Sequence, residues 1–185
     1  MHVDVPKAAD DIPNWVFRLN RILDPDIRIL KVSVAADDFH ARFSAIEREY
    51  QYRLADNNQI VLPLERYNTA TWFRALDVDR LNEASSLLLG EHDFVAFCKF
   101  REDQKTVRTL RKFNWSRLDS GILTADVAAN AFCYSMVRNL VGAAVAVGEG
   151  RFEKEWAQAI LDNKERVSDS YVFPANGLTL VKVSY

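Results

Sequence analysis

Apolar residues recur along this chain at two spacings, one typical of helices and one typical of strands. Four segments carry them every three or four positions, which predicts helices with one buried face: Ile12 to Leu23, Asp77 to Leu89 closed by Gly90, Ala131 to about Val147, and Phe152 to about Asn163. Five segments are β-branched or alternate apolar with polar residues, which predicts strands: Ile27 to Ala35, Ile46 to Leu54, Thr106 to Leu118, Gly121 to Ala129, and Leu178 to about Val183. We predict an α+β fold with a mainly antiparallel sheet covered by helices, in which Asp119-Ser120-Gly121 turns a hairpin.

One cation interrupts the apolar face of the third predicted helix. Two adjacent rows of apolar residues form a wide stripe there, and Arg138 lies at its edge. A guanidinium buried among aliphatic side chains without an anion costs several kcal/mol, so a carboxylate or phosphate is expected beside it. An arginine whose head reaches water along its aliphatic stem fits the same pattern.

The composition indicates a folded, water-soluble protein. Of 185 residues, 49% are hydrophobic and 27% charged, and no apolar run approaches the roughly 20 residues that span a bilayer. The first residues lack the basic and then apolar order of a signal peptide, so we expect a cytoplasmic protein without a membrane partner. Cys98 and Cys133 lack CxxC spacing and a histidine cluster, so we interpret both as packing residues, with neither a metal site nor a disulfide framework.

Charge and aromatic residues are distributed unevenly along the chain. The formal net charge of −2 gives no sign of a nucleic-acid partner, yet basic residues concentrate between Lys99 and Lys112. That cluster suits phosphates, or it is simply a solvated surface. From Asp37 to Ala45, aromatic and basic side chains interleave without periodicity, which suits stacking on nucleobases. A loop whose two phenylalanines plug a core is the alternative.

The sequence offers little for a hydrolase. It has three histidines, no Gly-x-Ser-x-Gly and no phosphate-binding loop. Adjacent carboxylates such as Asp37-Asp38 are typical of turns. Asp126 lies on a predicted strand just before the Arg138 helix, although a structural role is the favoured interpretation for it.

Four ordered motifs together resemble the tRNA pseudouridine synthase A family. They are Asp38-Phe39-His40-Ala41-Arg42-Phe43-Ser44-Ala45 followed by Arg48-Glu49-Tyr50-Gln51-Tyr52; Leu89-Gly90-Glu91-His92-Asp93-Phe94; Asn130-Ala131-Phe132 with Met136-Val137-Arg138-Asn139-Leu140-Val141-Gly142; and Gly177-Leu178-Thr179-Leu180. The resemblance implies the pseudouridine synthase fold and an isomerase that converts uridine to pseudouridine in the anticodon stem-loop of tRNA. It implies no metal or organic cofactor, tRNA as partner, and a homodimer.

The same resemblance implies roles for individual residues. Tyr50 is similar to the tyrosine that stacks on the target base, Arg138 to the arginine that pairs with the catalytic aspartate, and Leu178 to an apolar residue lining the uridine pocket. Two stretches fall where the family touches RNA: Phe39, His40, Ala41, Arg42 and Phe43, and then Arg101, Glu102, Asp103, Gln104 and Lys105.

One motif of the family does not occur in this sequence. The nucleophilic aspartate of the family lies in a Gly-Arg-Thr-Asp-Ala-Gly segment, which these residues do not contain. We therefore expect residues 1–185 to be a single C-terminal domain of a longer synthase, with the N-terminal lobe absent and Met1 an engineered start. Such a chain is expected to be inactive alone. The alternative is a non-catalytic RNA-binding or dimerisation module with the same fold.

Overall fold

The computed structural model describes residues 1–5, 12–164 and 171–185, with side chains of the first helix described from Asn14 onward. The chain divides into two compact units, Met1–Ala45 and Ile46–Tyr185. The larger unit contains the sheet and is the one that carries Tyr50, Arg138 and Leu178. The prediction that residues 1–185 are one domain of a longer synthase stays a prediction.

Among its described residues the first unit has one helix, α1 (Ile12–Ile22), where the sequence predicts it. The predicted strand from Ile27 to Ala35 is wrong, because these residues join no ladder. Asn20 of the helix instead holds both backbone groups of Ile29, accepting from its N–H at 2.8 Å and donating to its carbonyl at 2.8 Å. A β-branched composition favours a strand only where a partner strand is available to pair with it.

The second unit is a sheet with helices packed on one face. Its elements are β1 (Glu47–Ala55), β2 (Ala70–Thr71), α2 (Val78–Ser86), β3 (Gly90–Asp93), β4 (Val107–Arg117), β5 (Leu123–Ala129), α3 (Met136–Gly148), α4 (Glu155–Asn163) and β6 (Leu178–Ser184). The strand order is β2-β1-β5-β4-β3, and β6 also pairs with β1. All pairings are antiparallel except the short one between β1 and β2. The predicted α+β class and the mainly antiparallel sheet are therefore correct.

Alternation along the central strands decides which face of the sheet is buried. On β1, Tyr52 and Leu54 are 0% exposed, whereas Gln51 and Arg53 face the other way and are half-buried. Strand β5 lies between β1 and β4, and Ala125 pairs with Tyr52 on one side and with Trp115 on the other. The predicted hairpin of β4 and β5 is confirmed. Buried residues of these three strands form one wall of the core.

Helix α3 forms most of the opposite wall. Twelve of its thirteen residues are buried, and the exception is Arg138. The helix begins at Met136 rather than at Ala131, because Ser135 has a φ of 65° and interrupts the helical backbone. Helix α2 begins after Asp77, whose carboxylate accepts from the N–H groups of Asp79 and Arg80. None of the helices in the described ranges combines the length and apolarity that membrane crossing requires.

Two features of the second unit differ from the sequence predictions. The segment Gly90–Asp93 pairs with β4 as a strand, where the sequence predicts only the end of the second helix at Gly90. Cys98 and Cys133 form a disulfide, with Cα atoms 5.6 Å apart, so their interpretation as unlinked packing residues is wrong. Local spacing misses this pair because 35 positions separate the two cysteines in sequence and only the fold brings them together. Both are nonetheless buried, at 6% and 7% exposure.

Candidate functional site

Tyr50 lies on β1 with its ring toward the helix-bearing face of the sheet. It has the same parity as buried Tyr52, and it pairs with Val127 of β5 and Leu180 of β6. Its ring meets that of Phe132 edge-on, with centroids 5.2 Å apart and planes at 86°. Both rings are partly buried against the core. An aromatic pair fixed in this way holds the tyrosine ring in one orientation while leaving part of it accessible.

Arg138 is half-buried at the edge of α3, as the apolar stripe predicts. Its Nε donates to the carbonyl of Phe173, whose own N–H donates to the carbonyl of Arg138 at 3.3 Å. No carboxylate of the described residues lies within 4.0 Å of its guanidinium. The anion expected beside this cation is therefore not among them, and a backbone carbonyl holds the guanidinium instead.

Tyr52 connects the other elements of the site. Burial raises the pKa of its phenol strongly, and the positive charge of Arg138 opposes that rise. Phe173 links the two side chains, because its carbonyl accepts from Arg138 and its ring centroid is 6.2 Å from that of Tyr52. The hydroxyl of Tyr52 donates to the carbonyl of Pro174 at 2.8 Å, and the backbone of Tyr52 pairs with Leu178. Tyr50, Arg138 and Leu178 are thus brought together around one buried ring.

The short segment before Leu178 packs closely on this ring. A Cβ at Gly177 would lie 2.7 Å from the carbonyl oxygen of Arg53 and 2.7 Å from the ring of Tyr52. Only glycine lets the backbone approach so closely, which positions Leu178 beside Tyr52. Leu178 is half-buried and packs against the core.

The basic segment after β3 is tied to the loop that enters α3. The backbone N–H of Lys99 donates to the carbonyl of Tyr134 at 2.8 Å, and the side chain of Gln104 accepts from the N–H of Tyr134 at 3.2 Å. Cations lie over the same ring, with the Arg101 guanidinium 4.2 Å and the Lys99 ammonium 5.6 Å from its centroid. Glu102, Asp103 and Lys105 are exposed. The stretch from Arg101 to Lys105 is therefore an accessible, charged rim attached to the Phe132 loop.

In the first unit, residues 39–44 form a compact turn. The N–H of Ser44 donates to the carbonyl of His40 at 2.8 Å, and the hydroxyl of Ser44 accepts from the N–H of His40 at 2.9 Å. The rings of His40 and Phe43 are 4.4 Å apart, and the Arg42 guanidinium lies 5.5 Å from the Phe43 ring. Phe43 is 75% exposed, so it does not plug the core of its own unit. Phe39 and Ala41 are half-buried.

Asp126 has structural partners. It accepts from Lys112 at 3.0 Å and from Gln51 at 3.2 Å on the polar face of the sheet, away from Tyr52. In the described ranges, no group of three or more His, Cys, Asp or Glu side chains is arranged to hold a metal ion.

Comparison with known proteins places the chain in a family. A profile described as tRNA pseudouridine synthase matches residues 84–185. The whole chain is 48% identical to the tRNA pseudouridine synthase A of Frankia casuarinae over 186 residues, 67% of that relative. The corresponding proteins of Streptomyces griseus and Mycobacterium leprae are 45% and 42% identical over 187 and 197 residues, again matching the whole chain and 66% and 68% of each relative. The chain belongs to the tRNA pseudouridine synthase family.

Membership of the tRNA pseudouridine synthase family confirms the resemblance read from the motifs. The chain spans about two thirds of the length of these curated relatives. Phe132, Arg138 and Leu178 lie inside the range matched by the family profile, and Tyr50 lies ahead of it in the part covered by the full-chain matches. Sequence reasoning missed Phe132 and Tyr52 as parts of the site, although both stand within the quoted motifs.

Proposed function

We propose that this chain carries the uridine-binding part of a tRNA pseudouridine synthase that acts on the anticodon stem-loop. The observation that carries the proposal is the grouping of Tyr50, Phe132, Arg138 and Leu178 around Tyr52 in a member of that family. The group combines an aromatic face, an apolar wall and a cation. These are the elements needed to hold a uracil ring and to orient an acid beside it.

The reaction needs little from the protein beyond positioning and one nucleophile. A uridine leaves the RNA stack and enters the site, where Tyr50 offers a ring for stacking and Leu178 an apolar side. The N1–C1′ bond breaks, the freed base rotates, and a C5–C1′ bond forms. The proton lost from C5 is balanced by the one gained at N1. Because the change is an isomerisation, no oxidant, reductant or organic cofactor is required.

Arg138 is the residue through which the nucleophile would be held. A carboxylate facing its Nη groups would be kept ionised and aimed, because an adjacent positive charge lowers the pKa of an acid. We propose that this carboxylate is the aspartate of a Gly-Arg-Thr-Asp-Ala-Gly segment supplied from outside residues 1–185. The Nε–H of Arg138 is already bound to Phe173, which leaves the forked end of the guanidinium in a fixed direction for a bidentate contact.

Two surfaces are proposed to contact tRNA. The turn of residues 39–44 presents Phe43 with Arg42 over its ring, and the rim from Arg101 to Lys105 presents cations beside Tyr134. Exposed aromatic rings with adjacent arginines suit stacking and phosphate contact at single-stranded RNA. We further propose that the synthase acts as a homodimer and that it is located in the cytoplasm.

The test is pseudouridine formation in an unmodified tRNA transcript, measured for this chain and for a chain extended upstream to include the aspartate segment. The proposal predicts turnover by the extended chain and none by residues 1–185 alone. Turnover by the 185 residues at a rate near that of the extended chain would contradict the proposed source of the nucleophile. Inactivity of both, with intact folding and tRNA binding, would favour the non-catalytic RNA-binding or dimerisation module.

A further inference from the structure

The direction of the Arg138 guanidinium is set by a short backbone segment, residues 171–174, which we call the strap. The Nε–H of Arg138 donates to the carbonyl of Phe173, and the N–H of Phe173 donates to the carbonyl of Arg138 at 3.3 Å. These two hydrogen bonds join the strap to the first turn of α3. The guanidinium therefore keeps one direction only as long as the strap keeps its place.

The strap has no regular secondary structure that would hold it. It belongs to no helix or strand, and Tyr171 and Val172 are 51% and 38% exposed. Phe173, by contrast, is 1% exposed. A segment of this kind is held by the contacts of its buried side chain rather than by a ladder of backbone hydrogen bonds. What packs around Phe173 thus decides where the Arg138 guanidinium points.

Two aromatic side chains pack against Phe173. The ring of Tyr52 meets it edge-on, with planes at 76°, and the Tyr52 hydroxyl donates to the carbonyl of Pro174. The indole of Trp72 lies closer, with ring centroids 5.2 Å apart, and it also meets the ring of Tyr171 at 5.5 Å. Trp72 therefore contacts the strap at both Tyr171 and Phe173. Such ring pairs favour particular relative orientations, so they restrict how the strap can move.

Trp72 is itself anchored at the far end of α3. Its Nε1–H donates to Oε2 of Glu149 at 3.0 Å, and Glu149 directly follows the last residue of the helix. The Glu149 side chain is 1% exposed, and its Oε1 lies 3.1 Å from Nε of Arg151 and 3.6 Å from Nη1 of Arg74. Two cations thus hold one oxygen of this buried carboxylate, and the indole binds the other. Trp72 ties the strap to the end of α3 opposite to Arg138.

We propose that Trp72 is a positioning residue for the reaction, which acts through the strap on the Arg138 guanidinium. The inference rests on the proposed function, in which Arg138 aims the nucleophilic carboxylate. A bidentate contact between a guanidinium and a carboxylate depends on the direction of the fork, so a small shift of the Phe173 carbonyl would weaken it. A displacement of this kind, caused by a residue away from the reacting atoms, lowers the rate without removing any group that touches the substrate.

The first test measures the position of Arg138 in the 185-residue chain without RNA. Trp72→Phe keeps a ring beside the strap but removes the hydrogen bond to Glu149. The matched control is Trp115→Phe, because Trp115 is 3% exposed in the core and its Nε1–H donates to Ser85 at 3.1 Å. NMR should show that the Arg138 Nε–H exchanges with solvent about fivefold to tenfold faster in Trp72→Phe, because loss of one hydrogen bond makes opening of the strap easier.

Urea unfolding of both variants separates a loss of global stability from a loss of position. Exchange of the Arg138 Nε–H that Trp72→Phe accelerates no more than Trp115→Phe does would overturn the inference. Should Trp72→Phe not fold, Glu149→Gln keeps the indole and weakens the same hydrogen bond, and it is judged by the same criterion.

The second test is the pH dependence of single-turnover pseudouridine formation by the extended chain. Trp72→Phe should lower the rate about tenfold with tRNA affinity unchanged. It should also move the acid limb of the profile to higher pH, because a poorly aimed guanidinium lowers the pKa of the nucleophilic carboxyl less. Trp115→Phe should change neither the rate nor the limb.

An unchanged rate for Trp72→Phe, or a lower rate with the acid limb in its original place, would overturn the action of Trp72 through Arg138. Inactivity of the unsubstituted extended chain would contradict the proposed function instead. The exchange measurement involves no RNA, so it decides independently of that function whether Trp72 positions Arg138.

Discussion

At the scale of single residues, two charged groups of the described residues are accommodated differently. Asp56 is 4% exposed and accepts from both Nη groups of Arg117, at 2.7 and 3.0 Å, and from the N–H of Leu76 at 2.8 Å. Arg138 donates to a backbone carbonyl, and no carboxylate of the described residues lies within 4.0 Å of its guanidinium. The first group is satisfied within the fold and has a structural role. The second is, in the proposed function, the group that receives the nucleophilic carboxylate.

The Asp56–Arg117 pair makes stability depend on pH. Burial alone would raise the pKa of Asp56, but hydrogen bonds from Arg117 and Leu76, with the charge of Arg117, outweigh burial and lower it. Such a carboxyl stabilises the fold above its unfolded pKa, and the contribution is lost as pH falls through the folded pKa. Asp56→Asn is expected to lower the free energy of unfolding in urea by about 1–3 kcal/mol at pH 7, and by less below about pH 4.

The control for this prediction is Glu49→Gln. Glu49 pairs with Lys182 at 2.9 Å, with 29% and 62% of the two side chains exposed, so its removal should change stability by less than about 0.5 kcal/mol. A constant difference between Asp56→Asn and the native chain from pH 7 down to pH 3 would contradict the account.

At the scale of elements, the pattern of apolar residues predicts a helix or a strand where the element buries one regular face. It fails where pairing with another segment decides whether a strand forms. The alternation around Tyr52 and the apolar stripe around Arg138 predict β1 and α3, because each buries one regular face. Strand β3 was missed because its four residues, Gly90 to Asp93, carry no apolar alternation of their own and become a strand only by pairing with β4. The Ile27 to Ala35 segment has the right composition for a strand but pairs with no strand of the described residues. Within the site, motifs indicate Tyr50 and Arg138, whereas their meeting around Tyr52 depends on strand register.

Gly177 is predicted to set the distance between β1 and the segment leading to Leu178. A methyl group there would meet the ring of Tyr52 and the carbonyl of Arg53, and neither can move without disturbing β1. Gly177→Ala should therefore lower the free energy of unfolding by about 1–3 kcal/mol. It should also reduce activity of the extended chain, because Leu178 is displaced. Chemical unfolding and pseudouridine assays check both, and unchanged values for this variant would show that the close packing has no such role.

At the scale of the whole molecule, one disulfide joins the segment before the charged rim of residues 101–105 to the loop that precedes α3. The Cys98–Cys133 disulfide closes a loop with a sequence separation of 35, and its cysteines flank Lys99 and Tyr134. The two segments are also joined by the hydrogen bond between the backbone groups of Lys99 and Tyr134. The link thus stabilises the part of the larger unit that presents Phe132.

Reduction of this disulfide is predicted to lower the free energy of unfolding by about 3–4 kcal/mol, from the chain entropy of a loop of that length. The measurement is urea unfolding with and without dithiothreitol, with the double variant Cys98→Ala, Cys133→Ala as the control that should not respond to reductant. Two titratable thiols in the denatured, unreduced protein would contradict the presence of the link.

The most direct test of the central claim is pseudouridine formation by the extended chain carrying Arg138→Ala or Tyr50→Phe, with tRNA binding measured alongside. If Arg138 holds the nucleophilic carboxylate, Arg138→Ala should lower the single-turnover rate by at least about 100-fold, as for loss of a buried charge partner, with tRNA affinity nearly unchanged. Tyr50→Phe should weaken the rate less, because it keeps the stacking ring. A rate for Arg138→Ala close to that of the unsubstituted extended chain would contradict the account.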